Sequence, residues 1–168
     1  KLLECNAIHN LVFNKDLMNI VSAYLCAPAK LMSVSSWISF PDKNKNLDLN
    51  AQLYHSDCEF LSFIKVFVYL NDVGSLNGPH NAIKKSHDQN ALVFKGVPIS
   101  GRLSNSVVNL VYPKEDILSI EGEAGRVIIG DTFCAHKGTN VEQGKRLMLQ
   151  FQYASTSWGM PNQNYFCL

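Results

Sequence analysis

The sequence predicts a mainly β protein, a β-sandwich or barrel-like jelly roll preceded by one helix. Three observations point there. One stretch near the N-terminus has helical periodicity, a succession of short apolar runs broken by turn residues follows it, and two of those runs alternate strictly between two kinds of face.

The helix is read in "NKDLMNIVSAYLCAP", Asn14 to Pro28. Leu17, Ile20, Val21, Tyr24 and Leu25 share one face, Asn14 caps the first turn and Pro28 stops the last. It is the only helix predicted. Strands follow in "KLMSVSSWISF", "NAQLYHSD", "SFIKVFVYLND", "ALVF", "SVVNLVY", "ILSIEG", "GRVIIGD", "TFCAHKG" and "RLMLQFQYAS", separated by Gly, Pro, Asn and Asp. In the third, Phe63, Lys65, Phe67 and Tyr69 oppose Ile64, Val66, Val68 and Leu70. In the last, Arg146, Met148, Gln150 and Gln152 oppose Leu147, Leu149, Phe151 and Tyr153. Two readings stay open for the polar faces: solvent outside an antiparallel sheet, or the inside of a barrel mouth, where a ligand needs polar partners.

A length of 168 residues suits one domain spanning 1–168. A net charge of +1 leaves no electrostatic footprint for nucleic acid or a membrane surface. Lys43/Lys45 and Lys84/Lys85 read as solvated loops. The most apolar stretch, Phe60 to Leu70, is too short to span a bilayer and carries Lys65 in its middle. Five cysteines, an odd number without a CxxC pair, argue against a disulfide framework or zinc knuckle and for reduced thiols in a cytoplasmic protein. Cys58 and Cys134 are expected to be buried and structural. The chain opens on Lys1 without a signal-peptide pattern, which leaves open a missing leader or upstream segment. Nothing in the sequence predicts an oligomeric state.

The chemistry begins at "YHSDCEF". His55 and Asp57 lie two apart, which on an extended chain means one face. An HxD alone is weak. The stretch "GRVIIGDTFCAHKGTNVEQGKRLMLQFQY" adds a strand-borne His136 and, ten residues on, Arg146. Two histidines and a carboxylate, two of them at i and i+2 and the third distant, compose the facial triad that leaves open positions on a non-haem Fe(II).

Four segments in order, "QLYHSDCEF", "KVFVYLNDVGSLNGPHNAIKKSH", "GDTFCAHKGTN" and "KRLMLQFQY", resemble the phytanoyl-CoA dioxygenase-like family of Fe(II)/2-oxoglutarate-dependent oxygenases, over residues 52–153. The resemblance implies a double-stranded β-helix, a jelly-roll or cupin-like fold with an N-terminal helix. It implies His55, Asp57 and His136 as iron ligands and Arg146 as the partner of the distal carboxylate of 2-oxoglutarate, a role that suits a planar, permanently charged guanidinium. Phe67 and Trp37 match positions lining the cosubstrate pocket, with core packing as the alternative for each. "KKSH" lacks the glycine often found before "SH", and the His136–Arg146 spacing is one residue shorter than in some relatives. His87 reads as structural, and His80 and His9 as ordinary surface residues.

The implied reaction consumes O2 and 2-oxoglutarate, releases succinate and CO2, and hydroxylates a C–H bond of a small or medium organic molecule. Related halogenating enzymes have a small residue in place of the triad carboxylate; here Asp57 fills that position, so hydroxylation is expected. The alternative is a cupin-like metal-binding jelly roll that is non-catalytic or independent of 2-oxoglutarate.

Overall fold

Asn14 starts the predicted helix. Its Oδ1 accepts hydrogen bonds from the backbone N–H groups of Asp16 and Leu17, both at 3.0 Å, satisfying two donors that a helix start leaves free. The structure is a computed structural model and describes residues 1–42, 52–88, 90, 92, 95 and 101–156. The capped helix, α2 (Lys15–Leu25), stops before Pro28, because Cys26 takes a left-handed φ of 52° and ends the ladder. Leu17, Val21 and Leu25 are buried, whereas Ile20 and Tyr24, placed on the same face by the periodicity, are about half exposed. Asn14→Ala is expected to cost about 1 kcal/mol, read as a lower urea midpoint at unchanged slope; no change would mean that packing alone holds this helix end.

Two α-helices bounded within the described residues were not predicted. α1 (Asn6–Val12) precedes α2 and is tied to the sheet by the Tyr153 hydroxyl, which donates to the Val12 carbonyl at 2.6 Å. α3 (Asn105–Val111) occupies "SVVNLVY", read above as a strand. Its valines favour strands, but Ser104 caps the first turn and Val108 packs with Tyr112 and Ile83, and a short apolar run does not by itself distinguish the two structures.

Among the described residues the strands form two antiparallel sheets. The first has the order β1 (Lys30–Ser39), β7 (Arg146–Ala154), β2 (Phe63–Tyr69), β5 (Val127–Gly130). The second has the order β4 (Ile117–Ile120), β3 (His80–Ile83), β6 (His136–Gly138). β3 follows the "VGSLNGP" turn in a stretch for which no strand was predicted, and among the described residues of "NAQLYHSD" only Tyr54 and His55 make bridges, to Leu103 and His136. The strand expected at 91–94 lies, apart from Leu92, outside the described residues, as do Lys43, Lys45 and Cys167. Lys84 and Lys85 are exposed in a turn, as expected.

The alternation in β2 and β7 sets where the core ends and the site begins. Ile64, Val66, Val68, Leu149, Phe151 and Tyr153 pack against Val12, Leu17, Val21 and Leu25, so the helices cover one face of the first sheet. Lys65, Phe67, Arg146 and Met148 turn the other way and are nevertheless buried, in a pocket between the sheets. The barrel-mouth reading therefore holds for these polar faces. Cys58 is exposed and Cys134 half-buried, against expectation, because the chain from Cys58 to Leu61 runs at the surface with only Phe60 turned inward. No helix among the described residues is long and apolar enough to cross a membrane.

Candidate active site

His55 and His136 are partners in an isolated antiparallel bridge. Each backbone N–H donates to the other's carbonyl, at 3.0 and 2.9 Å, and the ring centroids lie 4.4 Å apart. Asp57 joins them through the next contact along the same segment, its N–H donating to the Thr132 carbonyl at 2.8 Å. Asp57 Oδ2 is then 3.4 Å from His136 Nε2, and Oδ1 is 3.8 Å from His55 Nε2. One ligand atom from each of the three lies within 4.8 Å of the others, so the group could hold a divalent ion.

The ring orientations fit that chemistry. Each Nδ1 is 3.0 Å from a carbonyl oxygen two residues earlier, of Leu53 for His55 and of Cys134 for His136. A carbonyl only accepts, so Nδ1 has the hydrogen and the lone pair of Nε2 faces the carboxylate. Burial holds the His136 imidazole below its usual range despite the nearby Asp57 charge, which favours the neutral, ligating form. Burial alone would push the Asp57 carboxyl up; the Lys65 hydrogen bond and the charges of His136 and Lys65 outweigh it and keep the group below the ordinary carboxylate value.

The three residues border a cavity of about 320 Å³ between the sheets. β1 contributes Trp37 and β2 contributes Phe67, so both expected aromatics reach the pocket; Phe67 is also core, packed with Tyr69 and Met148. β7 contributes Arg146, only 6% exposed. Its Nη1 donates to the Gly78 carbonyl, Nη2 lies 3.4 Å from Ser39 Oγ, and the buried Nε has no partner among the described residues. None of the ion pairs among these residues includes it. Gly138 makes room for this guanidinium, since a Cβ there would sit 3.0 Å from Nη2. Gly78, whose carbonyl accepts from Nη1, has a φ of +77° and a backbone so close to the next segment that a Cβ would meet the Thr139 carbonyl at 2.6 Å, so the position requires glycine. A buried cation without an anionic partner is costly and marks a place for an anion.

His80, read as a surface residue, is 5% exposed and lines this cavity. Its ring lies 4.7 Å from that of Phe67 and stacks on His136 at 5.7 Å. The "NG" turn before it, followed by an apolar alternate, was the available signal for a returning strand; the burial comes from pairing with β4 and β6, which are distant in sequence. His87 is exposed and sits 3.4 Å from Cys134 Sγ. The neighbouring Asp131 accepts from Tyr24 and from the Phe133 N–H, pinning the loop that precedes His136.

Burial, with the charges of His136 and Arg146, pushes His80 from 6.5 down to about 3. The unfolded chain therefore takes up a proton near 6.5 that the folded chain refuses until about 3, so this contribution to stability is present above 6.5 and lost as pH falls. Metal-free wild type is expected to lose more of its urea midpoint between pH 7 and pH 5 than His80→Leu does. Equal losses would refute the assignment.

No protein-family model and no curated protein matches this chain. Solved structures do. HygX from Streptomyces hygroscopicus, with nickel and 2-oxoglutarate bound, superposes with a TM-score of 0.63 at 17% identity, covering 94% of this chain and 68% of its own. AviO1 from Streptomyces viridochromogenes Tue57 gives 0.61 at 17%, covering 94% and 65%. SnoK, a non-heme alpha ketoglutarate dependent carbocyclase from nogalamycin biosynthesis, gives 0.61 at 16%, covering 88% and 59%. The chain thus spans about two thirds of these proteins. At such identities the likeness shows a shared fold.

Proposed function

We propose that the chain is an Fe(II)- and 2-oxoglutarate-dependent dioxygenase domain with a double-stranded β-helix, similar to the phytanoyl-CoA dioxygenase-like family, that hydroxylates a small or medium organic molecule. The observation that carries this reading is the placement, in one cavity, of a His55–Asp57–His136 group and a buried Arg146 that has no anionic partner among the described residues. The fold likeness supports it, since HygX holds iron in one structure and nickel, 2-oxoglutarate and hygromycin B in another.

In this reading the Nε2 atoms of His55 and His136 and the Asp57 carboxylate hold the metal. Arg146 takes the distal carboxylate of 2-oxoglutarate, and Phe67 and Trp37 wall the space beside it. Fe(II) bound there supplies the activation of O2, coupled to decarboxylation of 2-oxoglutarate to succinate and CO2. The two carbonyls on Nδ1 fix the imidazoles, and the aromatic walls exclude water from the cosubstrate. Asp57 occupies the position that halogenating relatives leave small, which favours hydroxylation over halide transfer.

The test is succinate formation from 2-oxoglutarate by anaerobically purified protein, after admission of O2, with and without Fe(II). Iron-dependent succinate is the expected result. Failure of the wild-type protein to take up Fe(II) at all would end the reading.

A further inference from the structure

Lys65 is a charged residue in the middle of a strand buried on both faces. Its side chain is 8% exposed, and a lysine reaches that degree of burial only when paired. Its Nζ lies 2.8 Å from Asp57 Oδ2, and 3.3 and 3.2 Å from the two carboxylate oxygens of Glu59. Behind Glu59 the contacts continue. Gln152 Nε2 donates to Glu59 Oε2, and Ser33 Oγ donates to Gln152 Oε1 at 3.2 Å. A polar path thus runs from β1 through β7 and β2 to Asp57, on the pocket side of the first sheet.

Asp57 needs such support. It lies beyond the His55 bridge, outside any strand, and its backbone is tied by the N–H bond to Thr132 in the loop between β5 and β6. His55 and His136 each have a carbonyl to set the ring; the corresponding brace on the Asp57 carboxylate is the Lys65 ammonium. Two carboxylates share that one ammonium, which acts on Asp57 through both its charge and its hydrogen bond, and of the two only the hydrogen bond has a direction that can orient the carboxylate.

We infer that Lys65 is the positioning residue of the site: it sets the orientation of the Asp57 carboxylate against His55 and His136, and Glu59, Gln152 and Ser33 brace it in that place. This rests on the metal-binding reading above.

Removing Lys65 alone would change the charge beside the ion, so the test removes a compensating pair. The double variant Lys65→Met/Glu59→Gln leaves the local net charge unchanged and deletes the hydrogen bond. It is expected to bind Co(II), used as a spectroscopic probe, about 10–100-fold more weakly than wild type. Lys65→Gln/Glu59→Gln, which restores an N–H donor toward Asp57, should recover most of that affinity and the wild-type Co(II) spectrum, something a residue that only filled space would not do. Glu59→Gln alone should bind within a few-fold of wild type, and it is the reference for Lys65→Gln/Glu59→Gln if the methionine variant does not fold. Wild-type Co(II) affinity in Lys65→Met/Glu59→Gln overturns the inference, and so does equal weakness in both double variants. Wild-type protein that binds no Co(II) or Fe(II) overturns the metal-binding reading instead, so the two failures are separable.

Discussion

Arg146→Ala is expected to weaken 2-oxoglutarate binding by about 2–5 kcal/mol, the cost of truncating one member of a buried, hydrogen-bonded charge pair. The argument is one of balance. The guanidinium is buried, its Nη atoms reach a carbonyl and a hydroxyl, and its Nε has no partner among the described residues, so those residues supply part of its solvation and none of its counter-charge. A dicarboxylate completes both. Arg146→Lys keeps the charge and loses the planar fork, and its affinity should fall between the two. Anaerobic titration of the Fe(II)-loaded protein, followed by absorbance or calorimetry, reads the change. Wild-type affinity in Arg146→Ala would remove Arg146 from the cosubstrate site.

His136→Ala should lose divalent-ion binding by more than the ~10–100-fold typical of an outer-shell partner, because it deletes one of three ligands. The fold should survive. The hydrogen bonds that join His136 to His55 are made by backbone atoms, and β6 pairs with β3 through its main chain, so neither depends on the imidazole. Circular dichroism of the variant should match wild type while Fe(II) or Co(II) uptake disappears. A variant that still takes up one equivalent tightly would show that the ion, if bound, sits elsewhere. The group of exposed His87 with half-buried Asp131 and Cys134 is the place among the described residues to look.

Both predictions concern residues visible in the sequence, and the reason is periodicity. A strand exposes alternate residues to one side, so Arg146 and Met148 on β7, and Lys65 and Phe67 on β2, had to share faces once those strands were recognised. The capping asparagine was legible for a similar reason, since a side chain that bonds the next turn acts within three residues. Such signals are local, and local geometry follows from the order of residues.

What lay outside the sequence was non-local. "SVVNLVY" has strand-like composition, and its helix is settled by Ser104 at one end and by packing of Val108 against Tyr112 and Ile83. His80 was read as an ordinary surface residue, and pairing of β3 with both β4 and β6 buries it beside Phe67 and His136. Lys65 was plain in the sequence, but the carboxylates that make its burial tolerable come from the irregular segment before its own strand. The sequence by itself determined which residue types and which faces were available: the helix cap, the two-sided strands, the HxD pair, and the later histidine and arginine. The tertiary structure decided which of them meet, because burial and charge pairing depend on contacts between segments far apart in the chain, and no periodicity along one segment encodes the identity of the segment packed against it.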